Sequence, residues 1–181
     1  MEFSELIRQR QSVRAYADRP VEQEKLERLI EAVRLSPSAS NSQPWRLIMV
    51  TNPALKDRVA RATFSTLVSF NTFVVQAPAL AVLVVERPRV VTQIGGWLKD
   101  RDFPLIDIGI AAAHFCLQAV ELGLGTCMLG WFDEAEIRRL LRIPKSKRIG
   151  LLISVGYAAP GDPLRPKHRK TREAMSSANG Y

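Results

Sequence analysis

A chain of 181 residues with 46% hydrophobic and 24% charged side chains has the length of one compact domain and enough apolar material to bury a core, which excludes a modular assembly and a disordered segment. Lysine and arginine (26) exceed aspartate and glutamate (18), and the formal charge of +8 favours an anionic ligand, a nucleic acid or an acidic surface without choosing among them. Ala77 to Val85 and Gly150 to Val155 stand as the longest apolar runs, short of the roughly 18 residues of a membrane span; the acidic start Met1-Glu2-Phe3-Ser4-Glu5 is unlike a secretory signal, so a cytoplasmic protein outside the membrane is expected.

In chain order, Phe3, Leu6 and Ile7 predict a short helix that Ser4 could cap. A cation-rich stretch follows, in which Arg8, Arg10, Ser12 and Arg14 alternate. In an extended backbone these would share one face, and forked guanidinium bonds with a hydroxyl beside them suit a phosphate. Leu26, Leu29, Ile30 and Val33 predict an amphipathic helix over Glu22 to Leu35, stopped before Pro37. Beyond the polar loop Ser36 to Pro44, Trp45 to Val50 and Ala79 to Val85 read as buried strands, with a helix through Leu55 to Arg61 between them.

Asp107 to Leu122 is apolar on most sides and ends at Gly123, so it predicts a buried helix whose cover, in a chain this small, includes a second subunit. Gly123 to Gly130 reads as a tight helix-to-strand connection and matches neither a dinucleotide nor a phosphate loop, although its small residues would let backbone N–H groups approach a flat ligand. Asp133-Glu134-Ala135-Glu136 has capping-box spacing, and Ile137, Leu140 and Leu141 give one helical face ended by Pro144. Gly150 to Tyr157 is the last strand. From Ala158 the tail is rich in Pro, Gly, Lys and Arg, either frayed or docked, with a second cationic cluster at Lys167, His168, Arg169 and Lys170. No repeat divides the chain, so one domain over 1–181 is expected, with 158–181 as a basic extended tail.

Of the two histidines, His114 reads as a core residue bonded to backbone, and His168 belongs to the tail. No carboxylate or histidine pattern predicts a metal. Cys116 and Cys127 lack CxxC spacing and read as buried thiols. Taken alone, the two basic clusters could be solvated patches; a nucleic-acid reading has only the charge behind it, with no aromatic-interleaved stripe.

Four motifs in register alter that balance. Arg10-Gln11-Ser12-Val13-Arg14, Pro37-Ser38-Ala39-Ser40-Asn41-Ser42-Gln43-Pro44-Trp45, Gly123-Leu124-Gly125-Thr126-Cys127, and Gly156-Tyr157 ahead of Lys167-His168-Arg169 resemble the nitroreductase family over nearly the whole chain. The resemblance implies an α+β sandwich, a mostly antiparallel central sheet flanked by helices, in an intertwined homodimer with FMN at the subunit interface. It places Arg10, Gln11, Ser12, Lys167 and Arg169 at the flavin phosphate and ribityl chain, with Arg14 at the pyrimidine edge as the catalytic cation. Asn71 falls at the same edge, and Leu129 and Gly130 where backbone N–H groups approach N5 and O4. Pro37, Ser38 and Ala39 match the loop reaching the flavin of the second subunit, which Asn41, Gln43 and Trp45 would lock.

The chain departs from the pattern at Trp131, where many relatives have a small residue, and at Val74, where some carry a cation. Its short stretch between Glu86 and Pro104 implies an open pocket or one covered by Trp97 and Phe103. The implied activity is ping-pong hydride transfer from NADH or NADPH through flavin N5 to a nitroaromatic, quinone or similar aromatic acceptor. Reductive dehalogenation, dehydrogenation and FMN binding without turnover are the alternatives.

Overall fold

The computed structural model describes residues 2–86 and 102–181; Trp97 lies outside them. Four strands, β1 (Trp45–Val50), β2 (Ala79–Val85), β3 (Gly125–Leu129) and β4 (Arg148–Gly156), form an antiparallel sheet in the order β1-β2-β4-β3. Its centre is apolar on both faces because both are covered. Leu80, Val82 and Val84 of β2 join a core with Val59, Phe73, Ile137 and Leu152. Ala79, Ala81 and Leu83 turn the other way, to Leu26, Leu29, Phe115 and Ile153. Helices α2 (Gln23–Arg34) and α4 (Phe103–Glu121) cover that second face, while α3 (Pro53–Arg61) and α5 (Glu134–Leu141) cover the first. The two short terminal helices are α1 (Phe3–Gln9) and α6 (Arg172–Met175). The expected α+β sandwich is the observed fold.

Between Leu83 and Val84 the pairing shifts from Leu151 to Ile149, leaving Gly150 as an extra residue in β4. A Cβ on Gly150 would stand 2.8 Å from Ile108 Cδ1, so glycine lets α4 settle on the sheet.

Several local expectations need correction. Helix α4 starts at Phe103 rather than Asp107, because the Asp102 side chain accepts the Leu105 N–H and Pro104 occupies the first turn, where no intrahelical N–H is needed. This 19-residue helix is also long and apolar enough to cross a membrane by length and composition, a run the strand-sized segments had overshadowed; here it lies on the sheet and α2. Nor is it covered all round: Ile106, Gly109, Ala113 and His114 are exposed. His114 is therefore not a core residue, although its Nδ1 lies 2.9 Å from the Ile110 carbonyl oxygen. Glu2, not Ser4, precedes α1, with no side-chain cap. Arg142, left-handed at φ 55°, closes α5 before Pro144 is reached. Both cysteines are free and buried, and burial pushes the Cys116 thiol up to about 11.

Candidate functional site

The Arg10 N–H still bonds the Leu6 carbonyl at the end of α1, after which the chain straightens. Ser12 then forms a parallel bridge with Thr126, the Val13 N–H bonds the Thr126 carbonyl at 2.9 Å, and Tyr16 pairs with Ala158. The segment from Arg10 to Arg14 thus runs along the outer edge of β3. Glycine at 125 makes that approach possible, since a Cβ there would lie 2.5 Å from Val13 Cγ2. Arg8 does not join the row. It remains in α1, beside Glu5 at 3.7 Å, and a helical turn rotates its side chain off the extended face.

The basic tail docks on this same segment. Gln11 Nε2 donates to the Pro163 carbonyl at 3.1 Å, and Gln11 Oε1 accepts the Arg165 N–H at 3.0 Å. The Arg165 guanidinium reaches the Ser12 carbonyl at 2.5 Å and pairs with Asp162 at 2.9 Å. Lys167 Nζ donates to the Arg10 carbonyl at 2.9 Å. Loss of surrounding water, with the Arg10 and Arg169 guanidinium groups nearby, holds the Lys167 amine below the usual lysine range. Arg10, Lys167 and Arg169 therefore share one neighbourhood, and among the described residues none of the three is in an ion pair. Arg165 was not singled out from sequence; its local partner Asp162 forms an ordinary i,i+3 pair, and the partners that place it, Gln11 and Ser12, lie more than 150 positions away.

Beneath this row, burial raises the Cys127 thiol, opposed by the Arg14 charge and by Ser12. At the end of β3, Leu129 is buried and Gly130 exposed. Asn71, 5% exposed, staples this corner: its Nδ2 donates to the Thr63 carbonyl at 3.1 Å and the Trp131 carbonyl at 3.2 Å. The amide hydrogens are thereby spent within the fold, and what Asn71 offers a ligand is the acceptor Oδ1. Trp131 points outward, 58% exposed, with its ring edge-on to Phe70 at 6.4 Å. Phe70 precedes Asn71 in the chain and Trp131 holds Asn71 through its carbonyl; a single aromatic beside Asn71 carries no pattern in the sequence. A cavity of about 580 Å³ beside Trp131 is lined by Arg58, Arg61, Phe64 and Phe132 among others. Val74 is fully buried, so no side chain from that position faces the site.

The loop after α2 is built differently. Ser40, Asn41 and Gln43 have φ of 53°, 50° and 47°, a left-handed backbone that costs about 1–3 kcal/mol at a side-chain-bearing residue. Gln43 Nε2 donates to Asn41 Oδ1, and the Gln43 N–H to Ser38 Oγ, both at 2.9 Å, so these side chains do lock the turn. The Ala39 N–H lies 3.1 and 3.2 Å from the two carboxylate oxygens of Asp107, which is 3% exposed on α4. Pro37 is exposed. Among the described residues no hydrogen bond joins Pro37, Ser38, Ala39 or Asn41 to the Arg10–Arg14 row; within one chain the loop belongs to α4.

Known proteins resemble this chain in sequence and in fold. The family model described as "Nitroreductase family" matches residues 7–157. Over 160 residues the chain is 29% identical to a putative NADH dehydrogenase/NAD(P)H nitroreductase of Archaeoglobus fulgidus, covering 86% of this chain and 85% of that protein. It is 29% identical to an FMN reductase [NAD(P)H] of Bacillus subtilis, over 94% of this chain and 70% of the relative. Among solved structures, a nitroreductase family protein of Clostridium novyi NT superposes with a TM-score of 0.78 at 29% identity, over 88% of this chain and 87% of that one.

Proposed function

The chain belongs to the nitroreductase family, and from that premise we propose that it is an FMN-dependent, NAD(P)H-dependent oxidoreductase. The observation that carries the reading is the docking of the tail on the Arg10–Arg14 row. It gathers Arg10, Lys167 and Arg169 with no acidic partner among the described residues, which suits a phosphate monoester. The chemistry FMN supplies when bound is two-electron transfer, with hydride accepted from NADH or NADPH and then delivered to a nitroaromatic, quinone or related acceptor.

This chain's own residues bind and orient. Arg10, Lys167 and Arg169 hold the phosphate, and Gln11 and Ser12 line the path to the ribityl chain. Asn71 Oδ1 suits the imide N–H of the ring, since its own hydrogens are committed to Thr63 and Trp131. Leu129 and Gly130, at the end of β3, would lie beside that corner. Arg14 supplies a fixed charge where negative charge develops in the reduced ring, stabilising it by preorganised electrostatics. Exposed Phe70 and Trp131 offer flat apolar surface to an aromatic acceptor.

The protein works as a homodimer in this reading, one domain over 1–181 in the cytoplasm. Phe3 on α1 and Ile106 on α4 are more than half exposed and Ile7 on α1 nearly half, apolar surface that a second subunit would cover. Pro37, Ser38, Ala39 and Asn41 then serve the flavin of the second subunit, in keeping with their separation from the Arg10–Arg14 row.

The test is the absorbance spectrum of the FMN-loaded protein during anaerobic addition of NADH and then NADPH. Bleaching of the flavin band by either donor is expected, and Arg14→Ala should slow it by about tenfold, 1.4 kcal/mol of barrier, while weakening FMN binding less. A protein that cannot be loaded with FMN, or a flavin that neither donor bleaches, would overturn the proposal.

A further inference from the structure

The geometry points to Asp107 as the positioning residue that holds the loop Ser38–Gln43 in its flavin-binding shape. Three side-chain-bearing residues in six adopt positive φ, and such a backbone persists only where its surroundings over-determine it. Most of the loop's bonds are internal: Asn41 N–H to the Ser38 carbonyl, Ser42 N–H to the Ala39 carbonyl, Gln43 to Ser38 and Asn41. Internal bonds shape a loop but do not fix where it sits. Two hydrogen bonds leave Ser38–Gln43 among the described residues: the Gln43 carbonyl accepts the Trp45 N–H two positions on, and the Ala39 N–H, the tie to an element distant in sequence, is received by both carboxylate oxygens of Asp107.

Asp107 is otherwise an anomaly. It is a carboxylate 3% exposed amid Ile108, Ala111 and their apolar neighbours on α4, and a buried acid is expensive unless it is put to use. A structural core would place an apolar residue there. The neighbouring Ser42 hydroxyl is buried without a hydrogen-bond partner among the described residues. The same stretch of α4 carries exposed Ile106 and Gly109 on its opposite side. Asp107 therefore ties the loop to the helix whose uncovered face turns to the partner, and the loop's reach toward the second flavin follows from where α4 lies.

This inference rests on the FMN reading, and the test separates the two. Asp107→Asn keeps an acceptor for the Ala39 N–H; Asp107→Leu keeps the volume and removes the acceptor, and Asp107→Ala serves if leucine prevents folding. Two quantities are read in each dimeric variant: FMN affinity by fluorescence quenching, and hydrogen exchange at the Ala39 amide in the FMN-free protein. Loss of the acceptor should weaken FMN by about tenfold or more and speed Ala39 exchange by a similar factor, with asparagine within about threefold of the parent in both. Unchanged Ala39 exchange in the leucine and alanine variants would overturn the latch whatever happens to FMN. Faster exchange with unaltered FMN affinity would overturn its role in the cofactor site. If the parent itself binds no FMN, the cofactor reading falls and takes this role with it, while exchange at Ala39 still reports the latch. If neither acceptor-free variant folds, asparagine must match the parent in both readouts; a tenfold loss there overturns the proposal.

Discussion

The β2–β4 pair and the outer edge of β3 lie in one sheet but are held by opposite means. Central strands β2 and β4 are covered on both faces, and their side chains feed two separate cores. Beyond β3 the sheet gives way to single bridges at Ser12 and Tyr16 and to bonds from a charged tail. Burial sets the fold at the centre, where water is absent and apolar area counts at about 25 cal/mol per Å². At the edge the backbone is positioned by specific donors, which leaves the cations of Arg10, Arg14 and Arg169 available to a ligand. Stability and binding should therefore be separable by mutation, and the separation has a definite seam.

The largest effect is expected at the edge. Replacing Arg10 and Arg169 together with alanine removes two charge-assisted bonds to phosphate, about 3–6 kcal/mol at 1.5–3 each, so FMN affinity should fall by roughly a hundredfold or more. Neither side chain is in an ion pair among the described residues, so stability should change by no more than about 0.5 kcal/mol. Equilibrium dialysis against FMN and a denaturant titration measure the two. Stoichiometric FMN retained by the double variant would remove both residues from the phosphate site.

The converse is Phe115→Ala. Phe115 is fully buried on α4, in the core it shares with Leu29, Leu83 and Ile153. Its truncation should lower unfolding free energy by about 3–5 kcal/mol, while FMN affinity of the folded fraction stays within about threefold. A large loss of affinity at full folding would show that the centre and the edge are not independent.

How much of this was legible in the sequence follows the same division. Periodicity exposed α2, which buries one face, and apolar runs bounded by prolines exposed β1 and β2; β2 is buried as such a run implies, whereas β1, at the edge of the sheet, is half-buried apart from buried Val50 and exposed Arg46. Such patterns missed the start of α4 at Phe103, where Asp102 and Pro104 outrank apolar spacing, and the bulge at Gly150, which exists only against Ile108. The phosphate-side residues were readable as a motif, but their assembly was not. Arg165 finds Ser12, and Asp107 finds Ala39, across long stretches of chain, and no window of neighbours encodes such a bond. Exposed His114 shows the complementary failure: an apolar helix implied a core position, whereas that face is left uncovered in the single chain.

The seam between the two regions is Gly125, and it makes the sharpest test though the smallest change. A Cβ at this position would stand 2.5 Å from Val13 Cγ2 and 2.9 Å from Val13 Cβ, closer than side chains approach, so Gly125→Ala must displace either β3 or the segment beside it. Strand β3 is bonded along its length to β4, whereas Val13 is tied to Thr126 by one bond and its neighbour Ser12 by one bridge. The segment is the weaker partner and should move. Overpacking of this kind costs about 1–3 kcal/mol, and because Ser12 and Arg14 flank Val13, FMN affinity should drop in the same variant. A thermal melt and an FMN titration on one preparation decide the matter. Lower stability with affinity untouched would mean that Val13 yields without carrying Ser12, and that the cation row owes its position to the docked tail rather than to the sheet.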